Sequence, residues 1–102
     1  MPFIIETFDK PGHQAVRQAH RPAHLGFLDT HKHLLLACGA KLADDGSDLG
    51  GGLYVVELDT REAAQSFIES DPFFTAGLFE RVSITRWRKA YVAGASHLPA
   101  AA

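Results

Sequence analysis

The chain has 102 residues, 46% of them hydrophobic and 22% charged, which fits one ordinary globular domain and excludes two. A formal net charge of −2, with no run of basic residues, argues against nucleic acid as a partner. The single cysteine, Cys38, excludes an intrachain disulfide and a cysteine-based zinc site, and fits a reducing compartment.

The stretch Phe3-Ile4-Ile5-Glu6-Thr7-Phe8 is rich in β-branched and aromatic residues and ends at the turn formers Asp9-Lys10-Pro11-Gly12, so it predicts a first strand. It reaches a carboxylate after three apolar side chains, which is neither a signal peptide nor a membrane span of about 20 apolar residues. A cytoplasmic protein without a membrane partner is expected. From His13 to His20 the sequence is polar, with Ala15, Val16 and Ala19 in a loose helical spacing. Pro22 suits a first helical turn, so the first helix is predicted from Pro22 to about His33. Within it His24, Phe27, Leu28 and His31 fall at i, i+3, i+4 and i+7 and share one face.

Leu34 to Leu42 is a short apolar run that predicts the second strand, closed by the solvated turn Ala43 to Asp48. Gly50-Gly51-Gly52 leads into Leu53-Tyr54-Val55-Val56-Glu57-Leu58, the strongest strand signal in the chain; the glycines there mark either a bulge or a close backbone approach. Asp59 or Thr60 is the cap of a second helix running to about Ser70, with Ala63, Ala64, Phe67 and Ile68 as its buried stripe. Pro72 ends that helix, holds Asp71 at a corner and leaves Phe73 to Gly77 for one short turn. Alternation from Glu80 to Trp87 predicts the fourth strand, and residues 90–102 form a tail.

The order β-α-β-β-α-β is that of the ferredoxin-like α+β class, a four-stranded antiparallel sheet with two helices on one face. Residues 1–91 make up the domain and 92–102 its tail. Apolar residues on both alternations of strands two to four leave the second sheet face uncovered. A chain of this size buries only about two-thirds of its surface, so a homodimer paired through the sheet faces is expected.

Two short stretches carry the chemistry. Imidazole titrates near neutral pH and a carboxylate fixes its tautomer, so His24 and Asp71 would form an acid–base pair if the turn after the second helix folds beside the first. The alternative is a packed histidine and a turn-forming aspartate. Arg21 suits a substrate carboxylate or phenolate, or equally a surface ion pair. Phe27, Phe73 and Phe74 either line a pocket for a ring or belong to the core.

No metal is expected. Pro22 separates His20 from His24, and His31 and His33 point about 200° apart on a helix, which leaves His24, His31 and Asp71 as the one set to examine. Cys38 lies in an apolar run, where a thiol is inert, and no Gly-x-Ser-x-Gly elbow or dinucleotide-binding glycine motif is present. A cofactor-free reaction on a small molecule is the simplest reading.

Several segments together resemble the YciI-like (YCII-related) family of small dimeric α/β barrel proteins. They are Arg21-Pro22-Ala23-His24-Leu25, Cys38-Gly39, the Asp-rich turn with Gly46, Glu62-Ala63-Ala64, Asp71-Pro72-Phe73 with Ala76-Gly77-Leu78, and Val82-Ser83-Ile84-Thr85 running into Arg86-Trp87-Arg88-Lys89. The resemblance implies a cleft in which His24 and Asp71 are catalytic and Arg21, Phe27, Gly39, Pro72 and Phe73 bind substrate. It also implies ring-derived substrates, because some relatives act on chlorinated hydroquinones. Ala40 stands where the family pattern usually has proline. The expected activity is isomerase- or lyase-type chemistry on a small cyclic oxygenated substrate, in which His24→Ala and Asp71→Asn abolish turnover and leave the fold intact. A non-catalytic binding or accessory protein is the alternative, and a monooxygenase of the same barrel type, resting on fold analogy alone, is the third.

Overall fold

Strand β1 (Phe3–Asp9) alternates as a two-faced strand should: Phe3, Ile5 and Thr7 are buried, while Ile4, Glu6 and Phe8 are only partly covered. In the computed structural model, which describes residues 1–100, β1 is an inner strand of a four-stranded sheet. The others are β2 (Leu35–Leu42), β3 (Asp48–Val56) and β4 (Phe79–Arg86), in the order β2-β3-β1-β4 with every neighbour antiparallel. Register places Tyr54 and Ile84 opposite Ile5, and Val56 opposite Phe3, so all of these share one face. Helix α1 (Gln14–Thr30) and helix α2 (Arg61–Glu69) cover it, α1 through Phe27 and Leu28 and α2 through Ala64, Phe67 and Ile68. Ile5 and Ile68 are fully buried, each contributing about 1.5–3 kcal/mol by leaving water. This is the expected ferredoxin-like α+β fold.

Helix α2 is capped by Thr60, whose side chain accepts from the Ala63 N–H at 3.1 Å. A single turn, α3 (Pro72–Thr75), follows and carries the chain back to β4.

The start of α1 differs from the sequence expectation. The helix begins at Gln14, eight residues before Pro22, and Pro22 lies inside it. A ring there removes one hydrogen bond to the carbonyl of Gln18. Both residues are exposed, so that carbonyl faces water, and the first turns are anchored instead by Arg17, whose guanidinium forks onto Asp9 at 2.6 and 3.0 Å. The helix also stops at Thr30, with a 3₁₀ turn over Lys32–Leu34 leading into β2.

Strand β3 starts at Asp48 and takes in the three glycines. Gly51 has φ 138°, and a Cβ on it would lie 2.1 Å from the carbonyl oxygen of Thr7, so the glycine serves a close approach of β3 to β1. Beyond β4 the tail is not wholly irregular. Residues Tyr91–Val92 (β5) and Ala95–Ser96 (β6) form a two-residue hairpin across Ala93-Gly94, both with positive φ, at 50° and 81°.

Candidate functional site

The site is built around a carboxylate taken wholly out of water. Asp71 caps α3: Pro72 at the first helical position forces the preceding residue into extended geometry, and Oδ1 of Asp71 accepts the Phe73 N–H at 2.8 Å. Tyr54 points to the same place because β3 alternation turns it toward the helices, and its hydroxyl donates to Oδ2 at 2.8 Å. His24 reaches the carboxylate from α1, with Nδ1 2.9 Å from both oxygens. Asp71 is 0% exposed.

Three donors converge on one buried acid, so Asp71 acts as an acceptor throughout. The network therefore assigns the hydrogen to Nδ1 of His24 and leaves Nε2 as the bare nitrogen. Phe73 fixes the ring plane: its ring stacks on the imidazole with centroids 4.0 Å and planes 15° apart, and Tyr54 meets the imidazole edge-on at 6.3 Å. Arg17 lies with its guanidinium 4.7 Å from the Phe73 centroid. Because Arg17 and His24 are seven residues apart, about 10.5 Å along the helix, the Phe73 ring fits between them.

Burial, then the charge of Asp71, raises the Tyr54 hydroxyl well above the ordinary phenol range, so it stays a donor. Burial of Arg17 works against its charge, but its hydrogen bond to Asp9 and the Asp9 charge outweigh that and raise its pKa. The Cys38 thiol is pushed up to about 11 by desolvation and by the Asp71 charge. That is the direction opposite to an activated nucleophile. Cys38 as a residue is exposed, not buried as an apolar run suggests, because β2 is an edge strand.

His24, Tyr54, Phe73, Arg17 and the strand segment Cys38–Ala40 enclose a cavity of about 40 Å³. Among the described residues no three His, Cys, Asp or Glu side chains converge as metal ligands. In the His24, His31 and Asp71 set, His31 is turned away, donating Nδ1–H to the Phe27 carbonyl at 2.9 Å and packing against Phe67. Among the described residues no helix is long and apolar enough to cross a membrane.

The family model of the YCII-related domain matches residues 1–88. The chain belongs to the YCII-related family. The YciI proteins of Escherichia coli O6:H1 and Shigella flexneri are each 33% identical over 98 residues, spanning 89% of this chain and 100% of theirs. A solved structure, 5-chloro-2-hydroxyhydroquinone dehydrochlorinase from Burkholderia phenoliruptrix AC1100 in complex with 2,5-dihydroxybenzoquinone, is 34% identical with a TM-score of 0.79, covering 86% of this chain and 94% of that one. A structure described as an antibiotic biosynthesis monooxygenase from Bacteroides thetaiotaomicron, at 11% identity and TM-score 0.55 over 91% of each chain, is similar in its α+β fold alone.

Of the residues that the YCII resemblance pointed to, His24, Asp71, Phe73 and Gly39 come together. Three do not join the cavity wall. Phe27 packs on the core side, its ring 5.2 Å from Phe67 and 4.5 Å from His31. Pro72 acts through the α3 turn. Arg21 is exposed and lines a separate, larger groove, one helical turn before His24. Phe74 packs against Phe79. Two site residues escaped sequence reasoning. Tyr54 was visible as a polar tip on the buried alternation of β3, and Arg17 stands seven residues before His24, a spacing hidden once the helix is started at Pro22.

Proposed function

We propose that this protein is a cofactor-independent acid–base enzyme of isomerase or lyase type, acting on a small cyclic oxygenated substrate as a cytoplasmic homodimer paired through its sheet faces. The observation that carries the reading is the contact of His24 Nδ1 with both oxygens of a fully buried Asp71 at 2.9 Å, which leaves Nε2 as a base on the cavity. Nε2 takes a proton from an acidic C–H or O–H of the substrate. In an elimination the freed electron pair forms the new double bond and the leaving group departs with its own pair; in an isomerisation the imidazolium returns the proton at a second atom. Asp71 steadies the imidazolium in both. The dehydrochlorinase neighbour, by its name, removes hydrogen chloride from a hydroxylated ring, which is chemistry of the first kind.

The test is turnover of a panel of chlorinated and chlorine-free hydroxyhydroquinones followed by absorbance, in wild type and His24→Ala. Loss of about 10²–10⁴-fold in rate, with unchanged circular dichroism, is expected. Undiminished turnover in His24→Ala would overturn the proposal. Asp71→Asn is the weaker probe: Asp71 is buried under three donors, so the substitution is expected to cost stability as well as chemistry.

The small size of the cavity, about 40 Å³, favours a second reading, a binding or accessory protein, because small-molecule sites usually measure about 300–1,000 Å³. A wild-type protein that binds members of the panel with no turnover supports that reading.

A further inference from the structure

A second and much larger depression lies on the other side of Arg17. It measures about 560 Å³, within the range of small-molecule sites, and is walled by the β1–α1 loop, one stripe of α1 and the start of β3. Gln14, Arg17, Gln18 and Arg21 form the helix stripe at i, i+3, i+4 and i+7. Arg17 is the one side chain that lines both this groove and the His24 cavity.

Its charges are unevenly spent. Lys10, Arg17 and Arg21 face Asp9 and Asp48. Asp9 is taken by the Arg17 fork, and Asp48 accepts the Gly50 N–H at 2.8 Å. Among the described residues Lys10 and Arg21 have no ion-pair partner. Asp48 is likewise outside the ion pairs of the described residues, so three cations against two carboxylates leave the groove one net positive charge, in a chain whose net charge is −2. Its rim is also apolar, with Pro11 and with Leu49, which is 62% exposed.

We propose that this groove binds a small organic anion: a flat apolar body lies against Pro11 and Leu49, and its carboxylate or acidic enolate is held by Lys10 and Arg21. A fork of guanidinium donors suits a planar oxyanion, and the ammonium adds a point charge. The body then abuts Arg17, behind which stand Phe73 and His24. Only the equation of this anion with a substrate of His24 rests on the function proposed above; the binding does not.

The experiment is a ¹⁵N-labelled amide titration of the full chain with sodium benzoate and, separately, with benzamide, a neutral molecule of nearly the same shape. Benzoate in the low-millimolar range is expected to shift the amides of residues 10, 12–14, 17, 21 and 48–50, with benzamide weaker by about tenfold or more. Lys10→Gln combined with Arg21→Gln, both surface changes, should weaken benzoate by about tenfold or more, while His24→Ala should leave it unchanged. Equal binding of benzoate and benzamide, shifts centred elsewhere, or unaltered benzoate affinity in the double variant would each overturn the proposal. So would loss of benzoate binding in His24→Ala, which would place the anion at the imidazole. If His24 proves non-catalytic, benzoate binding at the groove stands unaffected.

Discussion

Phe73 holds His24 twice over: its ring stacks on the imidazole at 4.0 Å, and its backbone N–H donates to the carboxylate that the same imidazole contacts. One residue thus sets the ring plane and helps to place the acid. Phe73 is only 1% exposed, so Phe73→Ala should cost about 3–5 kcal/mol in urea unfolding. Phe73→Leu keeps most of the volume and should cost under about 1.5 kcal/mol. The upfield ring-current displacement of the His24 Hε1 proton should disappear in the leucine variant. A His24 signal that shows no such displacement in the wild type would contradict the stack.

Tyr54→Phe removes one hydrogen bond to a buried carboxylate and adds no volume. The expected loss is about 1.5–3 kcal/mol, the range for hydrogen bonds to charged groups. Equal stability of the two proteins by urea unfolding would mean that water replaces the hydroxyl.

Alkaline pH should destabilise the protein through two groups. The Cys38 thiol is pushed up to about 11 by burial and the Asp71 charge, and the Tyr54 hydroxyl is raised well above the ordinary phenol range. Between the unfolded and folded values the native state binds more protons than the unfolded chain, so stability falls as pH rises. The melting temperature should therefore decline from about pH 9 upward, and less steeply in Tyr54→Phe and Cys38→Ala. The same shift predicts slow alkylation of Cys38 by iodoacetamide at pH 8, despite its exposure. Alkylation as fast as that of a free thiol would contradict it.

Gly51→Ala should be among the most damaging single changes. Its φ of 138° is strained for any side chain, and the added Cβ would fall 2.1 Å from Thr7 O. A loss of at least about 3 kcal/mol is expected from strain and the displaced strand together. Wild-type stability on chemical denaturation would show that β3 can move away from β1.

The face of the sheet away from the helices presents Ile4, Phe8 and Leu53, the last 39% exposed. The homodimer proposed above would cover it. Light scattering should give the mass of two chains at micromolar concentration, and Leu53→Lys should shift it toward one chain, because a buried unpaired ammonium is costly. A wild-type mass of one chain would overturn the sheet-paired dimer.

Much of the fold was legible in the chain order of its residues. β-Branched and aromatic residues in Phe3–Phe8 and Leu53–Leu58 and alternation from Glu80 to Trp87 mark strands, because such side chains fit a pleated surface and successive ones point to opposite faces. Thr60 and the Asp71-Pro72 corner announce a helix start and a stop through local backbone chemistry. His24 and Asp71 could be named as partners through the family resemblance of their two stretches.

Other features needed the tertiary structure because their energies come from residues distant in sequence. The helix that starts before Pro22 survives the lost hydrogen bond through Arg17 gripping Asp9 on β1. Tyr54 becomes part of the site only where β3 brings its hydroxyl to the α3 turn, 17 residues away. Arg17 lines both the site and the separate groove and Arg21 the groove alone, because the packing of α1 against the sheet and the α3 turn decides what each of its side chains faces. Local sequence determines which residues can form a strand, a cap or an acid–base pair; the balance among burial, charge pairing and one sacrificed hydrogen bond is settled only when the elements pack.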